Sequence, residues 1–371
     1  MKKNIIIRNA CFICSSPYQV IIALSIVLEN PQDADLYVYG TFSGYQELVE
    51  RLRKYQLFQN IYAVDLSAIG VTGRLRCIWE TFFADRIVRK FLPDSISYNI
   101  CYFSSRSSLK SAQLKVLLDR NPEMRRVMME DGMGTYSDKG NLLSVSKSRR
   151  VFERVLRWKL DDPGNTKFMV NCPELVNNPA PFDICEVERI SVLKLNSANQ
   201  QMLFDIYSLP DDGVINEKCI IFDTKRHGTT ILPKEQMTLM DKCYSIVAEH
   251  IGYQDVILKP HPRSTEECLC GAPQYTYPEI PMEVLYAEMS ELEKRILVSF
   301  VSTAVFTPKI LFDAEPFVIC LHRIVKDNRI SSNFESIFEK FRKLYNDPLR
   351  VMAPGSLEEL ETCLQMIKEL K

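Results

Sequence analysis

The segment ACFICSSPYQVIIALSIVL, residues 10–28, contains the pattern that decides the fold. A short apolar run ends at Cys14, a polar turn follows, and residues 18–28 repeat apolar side chains with helical spacing. The same order recurs with strands predicted over residues 34–39 and 60–64 around a helix over 44–55. It recurs again with strands over residues 97–103 and 126–129 around a helix over 109–118. Such alternation predicts βαβ units that build a parallel sheet.

A second series of the same kind follows the linker-like residues 209–213, LPDDG. It predicts strands over residues 218–222, 255–258, 296–301 and 316–321, and helices over residues 234–251 and 303–312. Residues 149–160 also have a helical pattern. We therefore expect an α/β protein with two Rossmann-like lobes, residues 1–210 and residues 211–371. A capped helix over residues 356–371 could pack back on the first lobe.

The composition is that of an ordinary globular protein. Hydrophobic residues make up 46% of the 371 positions, charged residues make up 25%, and the formal net charge is −1. A chain with so little net charge has no global field for nucleic acid, so we expect no nucleic-acid partner. Because no apolar run reaches about 18 residues, we also expect a cytoplasmic protein without a transmembrane helix. Peripheral attachment to the inner face of the membrane stays open.

Twelve cysteines are scattered along the chain, and many lie in apolar runs. That distribution is typical of reduced, buried thiols in a cytosolic protein. Cys11 and Cys14, and Cys268 and Cys270, have the spacing of half a zinc site, but neither pair has a second pair at the usual ligand spacing. We expect no metal site.

Three short motifs follow predicted strands. Lys259-Pro260-His261-Pro262 comes directly after the apolar run of residues 255–258. A histidine at the carboxyl end of a sheet strand lies where open α/β sheets bind ligands. His261 is therefore a candidate acid or phosphate ligand, although a solvated loop histidine is the simpler interpretation of this motif alone.

Glu130-Asp131-Gly132 is the second motif and follows the predicted strand that ends at Met129. Successive side chains of a strand point to opposite sides, so we expect one carboxylate to face the cleft while the other packs or caps. The glycine permits a tight turn. A simple acidic turn is the alternative interpretation.

Ser302-Thr303 is the third motif, between a predicted strand and the helical pattern that starts at Ala304. Hydroxyls and backbone amides at the start of a helix suit a phosphate. A plain helix cap is the alternative, and the two roles are compatible.

Together the motifs resemble those of bacterial sialyltransferases. Glu130-Asp131-Gly132 is similar to the D/E-D/E-G motif, His261-Pro262 to the HP motif, and Ser302-Thr303 to the S-S/T motif. The resemblance is closest to glycosyltransferase family 52, which includes lipooligosaccharide and capsule sialyltransferases, with the family 38 polysialyltransferases as relatives. It implies a GT-B fold with a central cleft, CMP-sialic acid as donor substrate, inversion at the anomeric carbon, and no metal or other cofactor.

The resemblance also implies roles for the motif residues in transfer of sialic acid to a galactoside or sialoside. Asp131 is the leading candidate for the base that takes the acceptor proton, with Glu130 as its neighbour or substitute. His261 would protonate or hydrogen-bond the phosphate of the departing CMP, and Ser302 and Thr303 would hold its oxygens. Such a reaction would serve bacterial capsule or lipooligosaccharide synthesis.

A rival base is Asp223, which ends the predicted strand before the histidine motif. The neighbouring Lys225 and Arg226 could pair with it and make it a weaker base, so we rank Asp131 first. Lys259 and Arg263 are candidate contacts for phosphate or the donor carboxylate, and Ser16 for the donor sugar. The resemblance implies that Glu283 meets the ribose. Pro260 and Gly132 are candidate donor-binding residues because they shape the loop before His261 and allow close approach of a ligand after Asp131. Each of these residues also has a plain structural interpretation.

The acceptor, the linkage (α2,3, α2,6 or α2,8) and the oligomeric state are not fixed by these residues, although the resemblance allows a homodimer. Two other functions stay open. One is a UDP-sugar transferase or epimerase with the same two-lobed fold, and the other is an inactive glycan- or nucleotide-binding partner.

Overall fold

The computed structural model describes residues 5–66, 83–104, 108–132, 134–136, 166–176, 187–189, 197–223, 226–227, 230–261, 268–325 and 330–370. The described residues up to 189 form one compact unit, and those from 197 onward form a second. Residues 197–210, which the sequence places before the domain boundary, are grouped with the second unit. The helix predicted over residues 149–160 lies outside the described residues.

The first unit is built on a parallel sheet of seven strands in the order β3-β2-β1-β4-β5-β6-β7. Its strands are β1 (Ile6–Cys14), β2 (Ala34–Tyr39), β3 (Asn60–Val64), β4 (Ile96–Phe103), β5 (Arg125–Met129), β6 (Thr166–Val170) and β7 (Val187–Arg189). Its helices are α1 (Pro17–Glu29), α2 (Tyr45–Arg53), α3 (Ala84–Val88) and α4 (Ser108–Arg120).

The apolar runs of this unit form strands that are covered on both faces. Every residue of β2 is buried, as are residues 10–14 of β1. The strand order reverses between β1 and β4, because β2 and β3 lie on one side of β1 and the later strands on the other. In open α/β sheets, ligands bind outside the carboxyl ends of the strands at such a reversal.

A buried acid ties together the four strands around this reversal. Asp35 on β2 accepts hydrogen bonds from Arg8 on β1, at 2.6 and 2.7 Å to its two carboxylate oxygens. It also accepts from Asn60 Nδ2 on β3 at 2.8 Å and from Tyr98 Oη on β4 at 2.7 Å. Since a buried carboxylate is tolerated only when it is paired, the network favours one register for all four strands.

The second unit has a parallel sheet of five strands in the order β11-β8-β12-β13-β14, and β9 and β10 form a separate antiparallel pair. Its strands are β8 (Cys219–Asp223), β9 (Arg226–His227), β10 (Thr230–Ile231), β11 (Val256–Pro260), β12 (Ile296–Ser299), β13 (Phe317–Cys320) and β14 (Val351–Met352). Its helices are α5 (Ser197–Tyr207), α6 (Lys234–Ile251), α7 (Met282–Glu288), α8 (Thr307–Phe312), α9 (Ile330–Arg342) and α10 (Leu357–Leu370).

Here the strand order reverses between β8 and β12. The α/β class with two parallel sheets, predicted from the sequence, is thus confirmed. The terminal helix α10 packs against α6 of its own unit. No helix within the described ranges combines the length and apolar character needed to cross a membrane.

The helix predicted over residues 303–312 is divided in two. A 3₁₀ turn covers Thr303–Phe306, and α8 starts at Thr307 with Pro308 in its first turn. Proline has no amide hydrogen, so it cannot donate to the carbonyl of Ala304 and continue an α-helical ladder from Thr303. That carbonyl accepts from the Thr307 amide, in the 3₁₀ pattern, and from the Tyr286 hydroxyl at 3.0 Å.

Replacing Asp35 with alanine should lower the free energy of unfolding by about 3 kcal/mol, because it removes the partner of a partly buried arginine and leaves buried donors unpaired. Asp33→Ala is the matched control, since Asp33 is exposed and should cost at most about 0.5 kcal/mol. Urea unfolding of both variants measures the difference. Equal losses would contradict the role given to Asp35.

Candidate functional site

The turn after β1 leads into α1, whose first turn carries the polar side chains of Tyr18 and Gln19. Ser16 has extended backbone angles (φ −147°, ψ 157°), and its hydroxyl accepts from the Gln19 amide at 3.2 Å. Pro17 is the first helical residue, a position that suits its fixed φ and missing amide hydrogen. Ser16 is therefore a helix cap, and Tyr18 and Gln19 follow β1 at the reversal of strand order.

The acidic motif is the turn that follows β5. The Glu130 amide donates to the Met169 carbonyl at 2.9 Å, which extends the pairing with β6 by one residue. Gly132 has φ +73°, a left-handed conformation that side chains rarely adopt. A Cβ there would meet nothing within 4 Å, so the turn itself, and not a close contact, favours glycine.

Glu130 is completely buried and accepts four hydrogen bonds. Tyr18 donates to Oε1 at 2.5 Å, and Tyr136 donates to Oε2. Asn171 donates to Oε2 from its backbone amide at 2.8 Å and from its side chain at 3.0 Å. Burial raises the pKa of Glu130, and the donors oppose that rise. Both oxygens are thus occupied within the protein.

Asp131 differs from its neighbour in exposure and in partners. Its side chain is half-buried, and Oδ1 accepts a hydrogen bond from Gln19 Nε2. Oδ2 has no hydrogen-bond partner among the described residues. The strand alternation thus produces one packed and one accessible carboxylate. Of the two acids, Asp131 is the one that can meet a substrate hydroxyl.

A buried lysine lies near this carboxylate. Lys110 on α4 is 4% exposed, and its ammonium donates to Ser15 Oγ at 2.8 Å. Burial lowers the pKa of Lys110, while the charges of Asp131 and Cys14 raise it. Lys110 therefore brings a positive charge to the first-unit cluster, by which we mean residues 15–19, Lys110, Glu130, Asp131, Tyr136 and Asn171.

Sequence reasoning gave roles to Ser16, Glu130 and Asp131 but to no other member of this cluster, and so it missed Tyr18, Gln19, Lys110, Tyr136 and Asn171. A signal was present for Tyr18 and Gln19, which are polar-tipped residues at the start of an apolar helix directly after β1. Asn171 had no such signal, because β6 was not predicted. Lys110 lies on a predicted helix, but its contact with Ser15 joins residues 95 positions apart.

In the second unit, strand register brings candidate residues to one sheet edge. Pro260 on β11 pairs with Asp223 on β8, and Phe222 pairs with Ser299 on β12. His261 follows β11 and is exposed. Asp223 is only 2% exposed, which disfavours contact with an acceptor hydroxyl. Arg263 and the neighbouring Pro262 lie outside the described residues.

Lys259 is directed into the protein. Its ammonium donates to the carbonyls of Pro278 at 2.7 Å and Tyr277 at 3.3 Å, and it lies 4.9 Å from the centre of the Tyr275 ring. Burial lowers the pKa of Lys259 to about 7, against the charges of Glu279 and Glu283. The lysine thus secures the segment that leads into α7.

Glu283 is in the first turn of α7, directly after the segment held by Lys259. Its side chain is half-buried, and burial raises its pKa while the Lys259 charge lowers it. The side chain remains accessible to a polar ligand.

Ser302 and Thr303 form the start of the 3₁₀ turn. Ser302 Oγ accepts from the Ala304 amide at 3.3 Å, and the Ser302 amide donates to Ser299 Oγ at 2.8 Å. Ser302 is therefore a cap whose own hydroxyl hydrogen can still donate. Thr303 is half-buried, and its hydroxyl has no partner among the described residues. Both hydroxyls can donate to an anion.

Within the described ranges, no group of three or more His, Cys, Asp or Glu side chains is arranged to hold a metal ion. His322 is buried and contacts Glu335 at 2.7 Å, and His250 contacts the Ile246 carbonyl at 3.2 Å. These two histidines have packing partners within the fold.

The family model for alpha-2,8-polysialyltransferases (POLYST) matches residues 11–321, most of the chain and all three motifs. The chain belongs to this family. It is therefore a glycosyltransferase that transfers sialic acid, and the family implies a nucleotide-sugar donor and a glycan acceptor. The resemblance to sialyltransferases is confirmed, whereas the match gives no support to family 52 in particular. No curated protein sequence matches the chain.

In this polysialyltransferase family member, the titration of Lys259 should be detectable as a pH dependence of stability. Lys259 has a pKa of about 7 in the folded state, and an unfolded lysine titrates near about 10.4. Between these values the unfolded chain binds more protons, so the free energy of unfolding should rise with pH, by at most about 1.4 kcal/mol per unit. Lys259→Met should lose this slope. Urea unfolding at pH 7, 8 and 9 measures it.

Lys343→Met is the control, because Lys343 is exposed and its replacement should leave the slope of the wild type intact. Parallel pH dependence of the wild type and Lys259→Met would show that Lys259 does not titrate in this window.

Proposed function

We propose that this protein is an inverting sialyltransferase of the GT-B class that uses CMP-sialic acid. Its family's name favours α2,8 transfer to a sialylated acceptor over transfer to a terminal galactose. Synthesis of a bacterial capsule or lipooligosaccharide is the setting that this chemistry fits. Cytoplasmic location, peripheral attachment to the inner face of the membrane and a homodimer stay predictions from the sequence.

The observation that carries the proposal is the accessible oxygen of Asp131, in a chain that matches a sialyltransferase family over residues 11–321. In an inverting transfer, the acceptor oxygen forms a bond to the anomeric carbon while the bond from that carbon to the CMP phosphate breaks. The acceptor proton passes to a base, and the leaving phosphate gains negative charge. Asp131 has the free oxygen that the first of these tasks requires.

Glu130 and Asp223 are less suited to be the base. Glu130 is completely buried and its hydrogen bonds all come from the protein, so a substrate hydroxyl cannot reach it in this conformation. Asp223 is buried at the end of β8. We therefore assign Glu130 to holding the turn and keep Asp223 as the second candidate.

The second unit supplies groups for the donor. His261 is exposed beside β11 and is suited to protonate or hydrogen-bond the CMP phosphate as it leaves. The hydroxyls of Ser302 and Thr303 can donate to the phosphate oxygens. Glu283 can accept hydrogen bonds from ribose hydroxyls, and Lys259 supports it from within the fold.

Four further residues have smaller proposed roles. Pro260 fixes the backbone before His261, and Gly132 provides the turn after Asp131. Ser16 caps α1 and can still donate its hydroxyl hydrogen to a sugar. Arg263 is proposed as a phosphate contact from its position in the sequence alone.

Asp131→Asn and His261→Ala should each lower the rate of CMP release from CMP-sialic acid by about 10²- to 10⁴-fold, because each removes a proton-transfer group. Asp211→Asn, an exposed acid of the second unit, should keep full activity. A coupled assay for CMP measures the rates with sialylated and galactose-terminated acceptors. Full activity of Asp131→Asn would exclude Asp131 as the base. If Asp223→Asn instead showed the expected loss of rate, Asp223 would be the base.

CMP should stabilise the protein more than UDP does. A ligand at about 100 times its Kd adds about 2.7 kcal/mol to the free energy of unfolding. Thr303→Val should weaken CMP binding about 10-fold or more, because a hydrogen bond to a charged group is lost. Thr238→Val, on the exposed side of α6, is the control. Thermal unfolding with each nucleotide measures both effects. Preferential stabilisation by UDP would contradict a CMP-sialic acid donor.

A further inference from the structure

A chain of hydrogen bonds leads from a buried ammonium group to the proposed base. Lys110 Nζ donates to Ser15 Oγ at 2.8 Å, and Ser15 Oγ donates to Gln19 Oε1 at 3.2 Å. The Ser15 backbone amide donates to the same Gln19 oxygen at 2.7 Å. At its other end, the Gln19 amide group donates to Asp131 Oδ1.

These contacts allow only one orientation of the Gln19 side chain. Its oxygen accepts two donors from Ser15, so its NH₂ group must face Asp131. The reverse orientation would place an amide oxygen against a carboxylate and an NH₂ group against the Ser15 amide. Gln19 is 1% exposed, so water cannot relieve such a mismatch.

The two carboxylate oxygens of Asp131 therefore have different environments. Gln19 occupies Oδ1, and Oδ2 has no hydrogen-bond partner among the described residues. Lys110 acts on the same carboxylate through its charge. Hydrogen bonds through Ser15 and Gln19 connect this ammonium to the carboxylate.

We propose that Gln19, oriented by Ser15 and by the buried ammonium of Lys110, is a positioning residue that directs the free oxygen of Asp131 to the acceptor hydroxyl. The inference rests on the proposed function for the identity of the base. In this arrangement a donor in the first turn of α1 holds the carboxylate of the base in one orientation. Gln19 itself does not touch the substrate.

Kinetics test the positioning role. Gln19→Met keeps the approximate size of the side chain and removes the donor, so kcat should fall about 10-fold while KM changes less than 3-fold. Loss of a donor to the carboxylate should also move the acidic limb of the pH profile of kcat/KM to higher pH. Gln19→Glu should move the limb further, because it places a second negative charge beside Asp131.

Gln201→Met is the matched control. Gln201 also donates to an aspartate, Asp205, at 3.0 Å, but on the exposed face of α5. It should leave kcat and the pH profile unchanged. Lys110→Met should shift the acidic limb in the same direction as Gln19→Met, since it removes the positive charge, and Lys110→Arg should restore part of the shift.

A measurement that needs no activity separates this inference from the proposed function. Gln19→Met should lower the urea midpoint of the wild type, but it should cost less, or nothing, in an Asp131→Ala background where its partner is already absent. Additive losses, or an unchanged pH profile in active Gln19→Met, would overturn the positioning role. If the wild type transfers no sialic acid, the proposed function fails, and the double-mutant result still decides whether Gln19 orients Asp131.

Discussion

The carboxylate of Glu130 is the constraint on which the first unit's site depends. A negative charge without exposure to water is tolerated only when donors surround it. Those donors come from three separate segments, namely the first turn of α1, the 3₁₀ turn after β5, and the residue after β6. Each segment must therefore arrive at the same place at the sheet edge. Asp131 follows in the chain, and its Oδ1 is held by Gln19 from the same first turn of α1.

Both units use the same architectural device for different chemistry. Each has a parallel sheet whose strand order reverses next to its first strand. In each unit the motif residues follow the ends of strands. The first unit presents an acid held by donors, whereas the second presents a histidine and hydroxyl groups suited to an anion. The family match spans residues of both units. In the proposed reaction, the acid would take the acceptor proton, and the histidine and hydroxyl groups would meet the leaving phosphate.

The fold was largely predictable from the sequence because its central strands are buried on both faces. β2 and β3 have the predicted bounds because each mainly apolar run lies between polar turns, although β3 is an edge strand that is only partly buried. The strands β6, β7, β9, β10 and β14 and the helices α3, α5 and α9 were missed. Alternation along β5 also anticipated that Glu130 and Asp131 would differ in environment.

The remaining features depend on contacts between residues far apart in the sequence. The four donors to Glu130, the contact of Lys110 with Ser15, and the inward direction of Lys259 cannot be read from local patterns. Pro308 differs from these residues because its effect is local: a proline inside the predicted helix of residues 303–312 was visible in the sequence. Its missing amide hydrogen separates the 3₁₀ turn from α8. The catalytic roles of the motif residues remain predictions.

The buried ammonium of Lys259 has a consequence for calorimetry. With a pKa of about 7, the folded protein near neutral pH is a mixture of two charge states that differ by one proton. An anion that binds at this sheet edge favours the charged state, and the protein then takes up a fraction of a proton from the buffer. The measured binding heat consequently includes the ionisation enthalpy of the buffer. Titrations in HEPES and in Tris, which differ in ionisation enthalpy, would give different binding enthalpies for the same nucleotide.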